Sequence, residues 1–289
     1  MRLSKVTIAY FLFFPLFLFF SGCGSLFFYP QKQLYDNPVA RLFFPEDIYF
    51  KTSDGLTLNG WFFQAANGEA RATVLILHGN AQNLSTHVNS VLWLTREGFN
   101  LFIFDYRGYG KSQGSPSIKG VHLDAEAALE ALLSMPRVEK GWIIVLGQSI
   151  GGAIAVYTVA HTPYKSRIAA LVIDSAFSSY RLIAREKLAQ VFITWPLQYP
   201  LSYLISDSYS PIRCIQKVSP VPVLIIHGDK DTVVPMHHGQ MLYEAARDPK
   251  QFWETTVPGH VTSFADAGVR EKFVRYLTAQ LQKMCPASE

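Results

Sequence analysis

The chain has 289 residues, 49% of them hydrophobic, and 26 lysines and arginines against 22 acidic residues give a formal charge of +4. That length suits one large domain, and so small a charge with no Lys/Arg-rich tract offers no case for nucleic acid. Three cysteines do not make a disulfide scaffold.

The first element is a leader. Met1-Arg2-Leu3-Ser4-Lys5 is basic, Val6 to Phe20 is almost wholly apolar, and Phe20-Ser21-Gly22-Cys23 ends it with small residues. A basic region, an apolar core and small residues before a cut describe an export signal, and the apolar run is short of the about twenty residues a membrane span needs. The last four residues resemble the bacterial lipoprotein signal-peptidase motif, although Phe20 stands where leucine is usual. The resemblance implies cleavage after Gly22, acylation of Cys23 and attachment to a membrane. Gly24, rather than aspartate, points to the outer membrane facing the periplasm. A transmembrane anchor or an ordinary secretory signal is the other reading.

Three segments follow from this: residues 1–22 as signal peptide, 23–43 as tether, and 44–289 as the folded domain. The tether is aromatic, with Phe27-Phe28-Tyr29-Pro30, and is expected to lie on the body or near the lipid surface. Ile48-Tyr49-Phe50 and Leu56 to Phe63 read as a hairpin about Ser53-Asp54-Gly55. Ala72 to Leu77 is apolar without alternation, as in an interior parallel strand, and leads to His78-Gly79-Asn80. A helix is expected over Ser85–Thr95, a strand over Leu101–Phe104, and a tight polar loop at Asp105–Ser112. His122 to Ser134 reads as a helix ended by Pro136.

Ile143 to Leu146 is the next buried strand, and Gly152 to Ala160 reads as a packed helix. Between them stands Gly147-Gln148-Ser149-Ile150-Gly151. Gly-x-Ser-x-Gly at a strand-to-helix turn is a nucleophile elbow, which lifts its serine above the carboxyl end of a sheet. Strands follow at Ile168–Ile173, Val223–Gly228 and Phe252–Val257, and a helix closes the chain over Gly268–Leu281. Repeated strand–helix units indicate an α/β fold with a parallel, doubly wound sheet. Residues 180–209 interrupt this rhythm with aromatics and prolines, as a lid over one end of the sheet would.

A serine hydroxyl needs a base to activate it, and the base needs a third group to orient it. Of eight histidines, His260 lies after the last strand in Pro-Gly-His and is the expected base. His78 and His227, each followed by glycine, are expected to shape their loops by buried hydrogen bonds. His87, His122, His161, His237 and His238 are expected at surfaces or helix caps. Asp105, Asp174, Asp229 and Asp231 all stand near strand ends. Asp231 reaches furthest into its loop and is the expected acid, Asp229 is expected to cap the turn, and Asp105 to pair with Arg107. An oxyanion would be held by the backbone N–H groups of Ile150 and Asn80. No His-Glu-x-x-His motif or helix-clustered ligand set calls for a metal, and no cofactor is implied.

His-Gly-Asn-Ala at 78–81, Asp-Tyr-Arg-Gly-Tyr-Gly-Lys-Ser at 105–112, Gly-Gln-Ser-Ile-Gly-Gly at 147–152, Asp-Ser-Ala-Phe-Ser-Ser at 174–179 and His-Gly-Asp-Lys-Asp at 227–231 resemble the α/β-hydrolase superfamily. The nearest likeness is its serine-aminopeptidase-like branch with the Bem46-type membrane-associated hydrolases, over roughly Phe44 to Leu281. The resemblance implies an eight-stranded, mostly parallel sheet with helices on both faces and a small helical lid. It also implies Ser149, Asp231 and His260 as the triad. Gln148 departs from the arginine or histidine common there and is expected to alter the pocket edge. Phe177, Phe192, Trp195, Leu197, Tyr199 and Tyr203 are candidates to line an acyl pocket. A carboxylic ester is the expected substrate. Peptide, amide or thioester hydrolysis shares the chemistry, and a non-enzymatic envelope protein that kept the fold is the other class.

Overall fold

The computed structural model describes residues 27–284; Cys23, the leader and Cys285 lie outside them. Ten strands occur among these residues: β1 (Tyr29–Pro30), β2 (Glu46–Lys51), β3 (Thr57–Phe63), β4 (Ala72–Leu77), β5 (Ala81–Gln82), β6 (Phe99–Phe104), β7 (Ile143–Gln148), β8 (Ile168–Asp174), β9 (Val223–Gly228) and β10 (Lys250–Thr255). Eight form one sheet in the order β10-β9-β8-β7-β4-β6-β3-β2. Only the β2–β3 and β3–β6 pairs are antiparallel.

Every residue of β4, β6, β7, β8 and β9 is buried. Their runs of Val, Ile, Leu and Phe are covered on both faces, which is why they lack the alternation of a half-exposed strand. Helices Ile118–Leu133 and Ile150–His161 pack into the core on one face. Helix Ala267–Met284 and the turns over Leu84–Thr95 close the other. The chain lays β6 on one side of β4 and then β7 on the other. In an open α/β sheet such a reversal leaves a crevice at the carboxyl ends of the strands, where ligands bind. The loops after β4 and β7 flank that crevice.

One expectation is corrected. Ser85–Thr95 is not one helix. It is a single turn, Leu84–His87, followed by 3-10 turns at Val88–Ser90 and Leu92–Thr95. Side chains compete there for the backbone: Ser90 Oγ donates to the His87 carbonyl, Trp93 Nε1 to the Ser90 carbonyl and Thr95 Oγ1 to the Leu92 carbonyl. Residues 27–35 lie on the body of the fold, one of the two placements expected of them. Phe27 and Phe28 are buried, and β1 pairs in parallel with β5. Asn83 Nδ2 donates to the carbonyls of Gln31 and Gln33, and Tyr35 N–H donates to Ser85 Oγ. The sequence gives no signal for a two-residue strand, because its partner is a loop.

The insertion after β8 holds helix Tyr180–Ala189, a 3-10 turn at Trp195–Leu197 and helix Gln198–Tyr203. Ser179 caps the first helix, accepting from Leu182 N–H at 3.0 Å. The insertion leaves the sheet at the same edge as the turn after β7. Among the described residues, no helix is long and apolar enough to cross a membrane.

Candidate active site

The turn after β7 is built by exclusion. A Cβ on Gly147 would overlap the Gly151 carbonyl and lie 2.5 Å from Gly152 Cα; one on Gly151 would overlap the Leu77 carbonyl. With those atoms absent, helix Ile150–His161 starts against β7 and β4, and Ser149 is forced to φ 56°, ψ −123°. A non-glycine residue at positive φ costs roughly 1–3 kcal/mol and persists only where its surroundings determine it. Ser149 N–H donates to the Asp174 carbonyl at 2.9 Å, which ties the turn to β8.

Three loops meet above this edge. Ser149 Oγ donates to His260 Nε2 at 2.8 Å, and His260 Nδ1 donates to Asp231 Oδ2 at 2.7 Å. A carboxylate can only accept, so it fixes the proton on Nδ1 and leaves Nε2 as the acceptor. Ser149 and Asp231 are buried and the His260 side chain is 19% exposed. Val261, immediately after the histidine, is held at φ 58°. For a β-branched residue this is strained, and it marks a loop whose geometry is imposed by its setting.

Asp231 has two tasks. Its Oδ1 accepts from Val233 and Val234 N–H, both at 2.9 Å, so it caps its own turn while Oδ2 holds the histidine. Burial opposes its charge, but the bonds from His260, its field, and the two backbone donors hold the carboxyl below the usual aspartate range. Asp229, the expected cap, is exposed. Asp105 does not pair with Arg107. It accepts from Leu84 N–H at 2.7 Å and faces His78 Nε2 at 3.3 Å. Arg107 instead engages Asp124 and Asp54. Asp174 is buried at the end of β8, bonded by Ser263 Oγ and Gln148 Nε2. Burial raises its pKa despite those donors. Gln148 is therefore an interior link from Asp174 to Ser90 Oγ, not a pocket edge.

The loop after β4 approaches from the other side. Leu77 lies in register with Gly147, and a Cβ on Gly79 would be 3.8 Å from Ser149 Cβ. His78 Nδ1 donates to the Gly79 carbonyl at 2.7 Å. That carbonyl and the Asn80 N–H share one peptide plane, so fixing one fixes the other. The next carbonyl, of Asn80, accepts from Tyr29 N–H at 2.8 Å and Tyr109 Oη at 2.6 Å. Ile150 is the first residue of its helix, and its N–H has no acceptor within it. Gly79, whose carbonyl shares a peptide plane with the Asn80 N–H, and Ile150 thus flank Ser149.

The remaining histidines divide. His227 Nε2 bonds the Val234 carbonyl, as expected of a loop-shaping residue. His122 and His238 are buried rather than superficial. His238 Nδ1 accepts from Ser178 N–H at 3.1 Å, so Nε2 carries the proton and donates to Glu186 at 3.1 Å. His237 Nε2 lies 3.0 Å from the same carboxylate. These three residues could be read as metal ligands. The His238 tautomer turns a proton, not a lone pair, toward Glu186, so the cluster is satisfied as a hydrogen-bonded tie between the insertion and helix His237–Ala245. Cys214 is buried, which pushes its thiol up to about 12.

Of the side chains expected to line a pocket, Phe177 is buried against Phe27 and Tyr180. Phe192, Trp195, Leu197, Tyr199 and Tyr203 all lie exposed on the insertion.

Residues 68–213 match the family described as serine aminopeptidase, S33. The chain is 34% identical over 264 residues to the uncharacterized protein YfhR of Escherichia coli K12, covering 89% of this chain and 88% of that one. It is 33% identical over 216 residues to protein bem46 of Schizosaccharomyces pombe, covering 72% and 68%. Among solved structures it resembles the Pyrococcus furiosus esterase Pf2001, with a TM-score of 0.68 at 22% identity over 88% of this chain and 98% of that one. An α/β-hydrolase sheet with its strand-to-helix turn at Ser149, and relatives matched over most of their length, lead to one conclusion: this chain belongs to the serine aminopeptidase S33 family of α/β hydrolases.

Proposed function

We propose that the protein is a serine hydrolase acting on carboxylic esters through an acyl-enzyme, with Ser149 as nucleophile, His260 as base and Asp231 as its orienting acid. The observation that carries this is the continuous hydrogen-bonded line from Ser149 through His260 to Asp231. Ser149 Oγ attacks the ester carbonyl as its proton passes to His260 Nε2. The imidazolium that forms is stabilised by Asp231. The carbonyl oxygen becomes an oxyanion, received by the Asn80 and Ile150 N–H groups; one such donor contributes about 3 kcal/mol in a measured serine hydrolase. Collapse breaks the C–O bond, and the alcohol leaves with the proton from His260. Water then repeats the sequence and frees the acid.

An amide substrate is the second reading, favoured by the aminopeptidase description of the matched family. The leader supports export, and Cys23 attachment through lipid, on the outer membrane facing the periplasm. Lipid mass on the N-terminal peptide at Cys23 tests the anchor, and an unprocessed leader would overturn it.

The purified protein is expected to hydrolyse a short p-nitrophenyl acyl ester and to be labelled by a fluorophosphonate. Ser149→Ala should abolish labelling and lower kcat about 10⁴-fold or more. Equal rates in the two proteins would sink the serine mechanism. No labelling of the native protein would favour a binding module. Matched ester and aminoacyl-amide panels separate the two substrate readings.

A further inference from the structure

The insertion presents an apolar face that the proposed chemistry does not use. Phe192 is 92% exposed and Ile193 79%, and Val191, Trp195, Leu197, Tyr199, Tyr203 and Leu204 are all at least half exposed. Single apolar side chains at a surface are ordinary, but a run of them within one short segment marks a contact surface.

Its flanking charge is positive. The Arg181 guanidinium lies 4.9 Å from the Tyr203 ring centroid and that of Arg185 5.3 Å from Tyr199. Lys187 adds a third cation on the same helix, while its acid, Glu186, is engaged by His237 and His238. Bulky apolar side chains for the acyl region, Trp and Tyr rings at headgroup depth, and basic groups for lipid phosphates are the composition of a membrane-interface anchor.

The placement of the chain start supplies a second, independent argument. The Phe27 ring is 5.2 Å from Tyr180, the first residue of the insertion's first helix, and 6.5 Å from Phe177. Only Gly24, Ser25 and Leu26 separate Cys23 from Phe27. At roughly 3.6 Å per residue that link spans ~14 Å at most. A lipid on Cys23 therefore brings the bilayer within that distance of Phe27, which packs against the root of the insertion.

We infer that the 191–204 face docks on an anionic lipid bilayer and seats the carboxyl edge of the sheet, with Ser149, toward the membrane. This rests on the serine-hydrolase and Cys23 readings and narrows the substrate class to acyl esters borne by the bilayer.

The test is tryptophan quenching in the full-length protein, reconstituted into phosphatidylglycerol/phosphatidylcholine vesicles with brominated acyl chains. The other four tryptophans, Trp61, Trp93, Trp142 and Trp253, belong to the body of the fold. Native protein should be quenched by the bromolipid, and Trp195→Phe should lose more than half of that quenching. Quenching unchanged in Trp195→Phe, or none in the native protein, would overturn the inference. The readout needs no turnover. Fluorophosphonate labelling and the Cys23 lipid mass of the same sample report the two underlying readings separately.

Discussion

The His78 imidazole donates to the carbonyl of Gly79, the next residue, at 2.7 Å. This contact within two residues sets the plane that carries the Asn80 N–H. The His78 ring is itself held, stacked on His87 and packed against Tyr106 and Tyr109. One residue on, Tyr109 and Tyr29 both hold the Asn80 carbonyl. The Gly79–Asn80 segment is thus held by a buried ring on one side and by the Tyr29 backbone on the other.

Tyr109→Phe removes one of these donors and leaves the ring. It should lower kcat on a soluble ester by roughly tenfold, equivalent to ~1.4 kcal/mol in the barrier, with KM nearly unchanged. A change in KM alone would assign Tyr109 to substrate binding instead. A thermal melt separates this from loss of the fold.

Asp231→Asn tests the orienting acid apart from the turn. The amide oxygen can still accept from Val233 and Val234 N–H. The amide nitrogen would face Nδ1 and reverse the His260 tautomer. The drop in kcat should be about 10⁴-fold, as for the same change in a serine protease triad. Retained activity would remove Asp231 from the mechanism.

Gly151→Ala tests the turn. Its Cβ would overlap the Leu77 carbonyl oxygen and sit 2.6 Å from that of His78, backbone atoms at the end of a buried central strand that cannot give way. Urea unfolding should show a loss on the order of 4 kcal/mol or more, or no folded protein at all. At Gly141 an added Cβ meets only the Val138 carbonyl at 3.5 Å. Gly141→Ala should therefore stay within about 0.5 kcal/mol of the native protein.

Acid should destabilise the fold in two stages. Burial pushes His238 down to about 4, although Glu186 pulls the other way, and burial pushes His122 down to about 3. Their unfolded value is near 6.5, so below that pH the unfolded chain takes up protons that the fold refuses. The stability is fully present above pH 6.5 and falls as pH drops toward 4, by up to ~1.4 kcal/mol per unit for each ring. Asp231 adds a second stage: its depressed carboxyl contributes above the unfolded aspartate range and is lost as pH falls through its folded value. Urea midpoints at pH 7 and pH 5 measure the first stage, and His238→Gln should lessen it while the His122 share remains. A midpoint unchanged between these pH values would refute the assignment.

Local chemistry made much of this protein legible. Short apolar runs at Ala72–Leu77, Ile143–Leu146 and Ile168–Ile173, rich in β-branched residues, read as strands covered on both faces, and the structure buries them so. Glycines about Ser149 mark a turn that tolerates no side chain, and both signals are written within a few residues. The choice among acids depended on distances across loops far apart in the chain. Asp105 found Leu84 and His78, Asp174 found Ser263 and Gln148, and Asp231 alone among the four aspartates met His260. The same holds for the strap of residues 29–35, whose polar groups look like those of any linker until the loop at 80–85 accepts and donates to them. Periodicity reports which face of an element is buried. It carries no record of which loop a buried hydrogen-bonding group will meet, and that was decided by the tertiary structure.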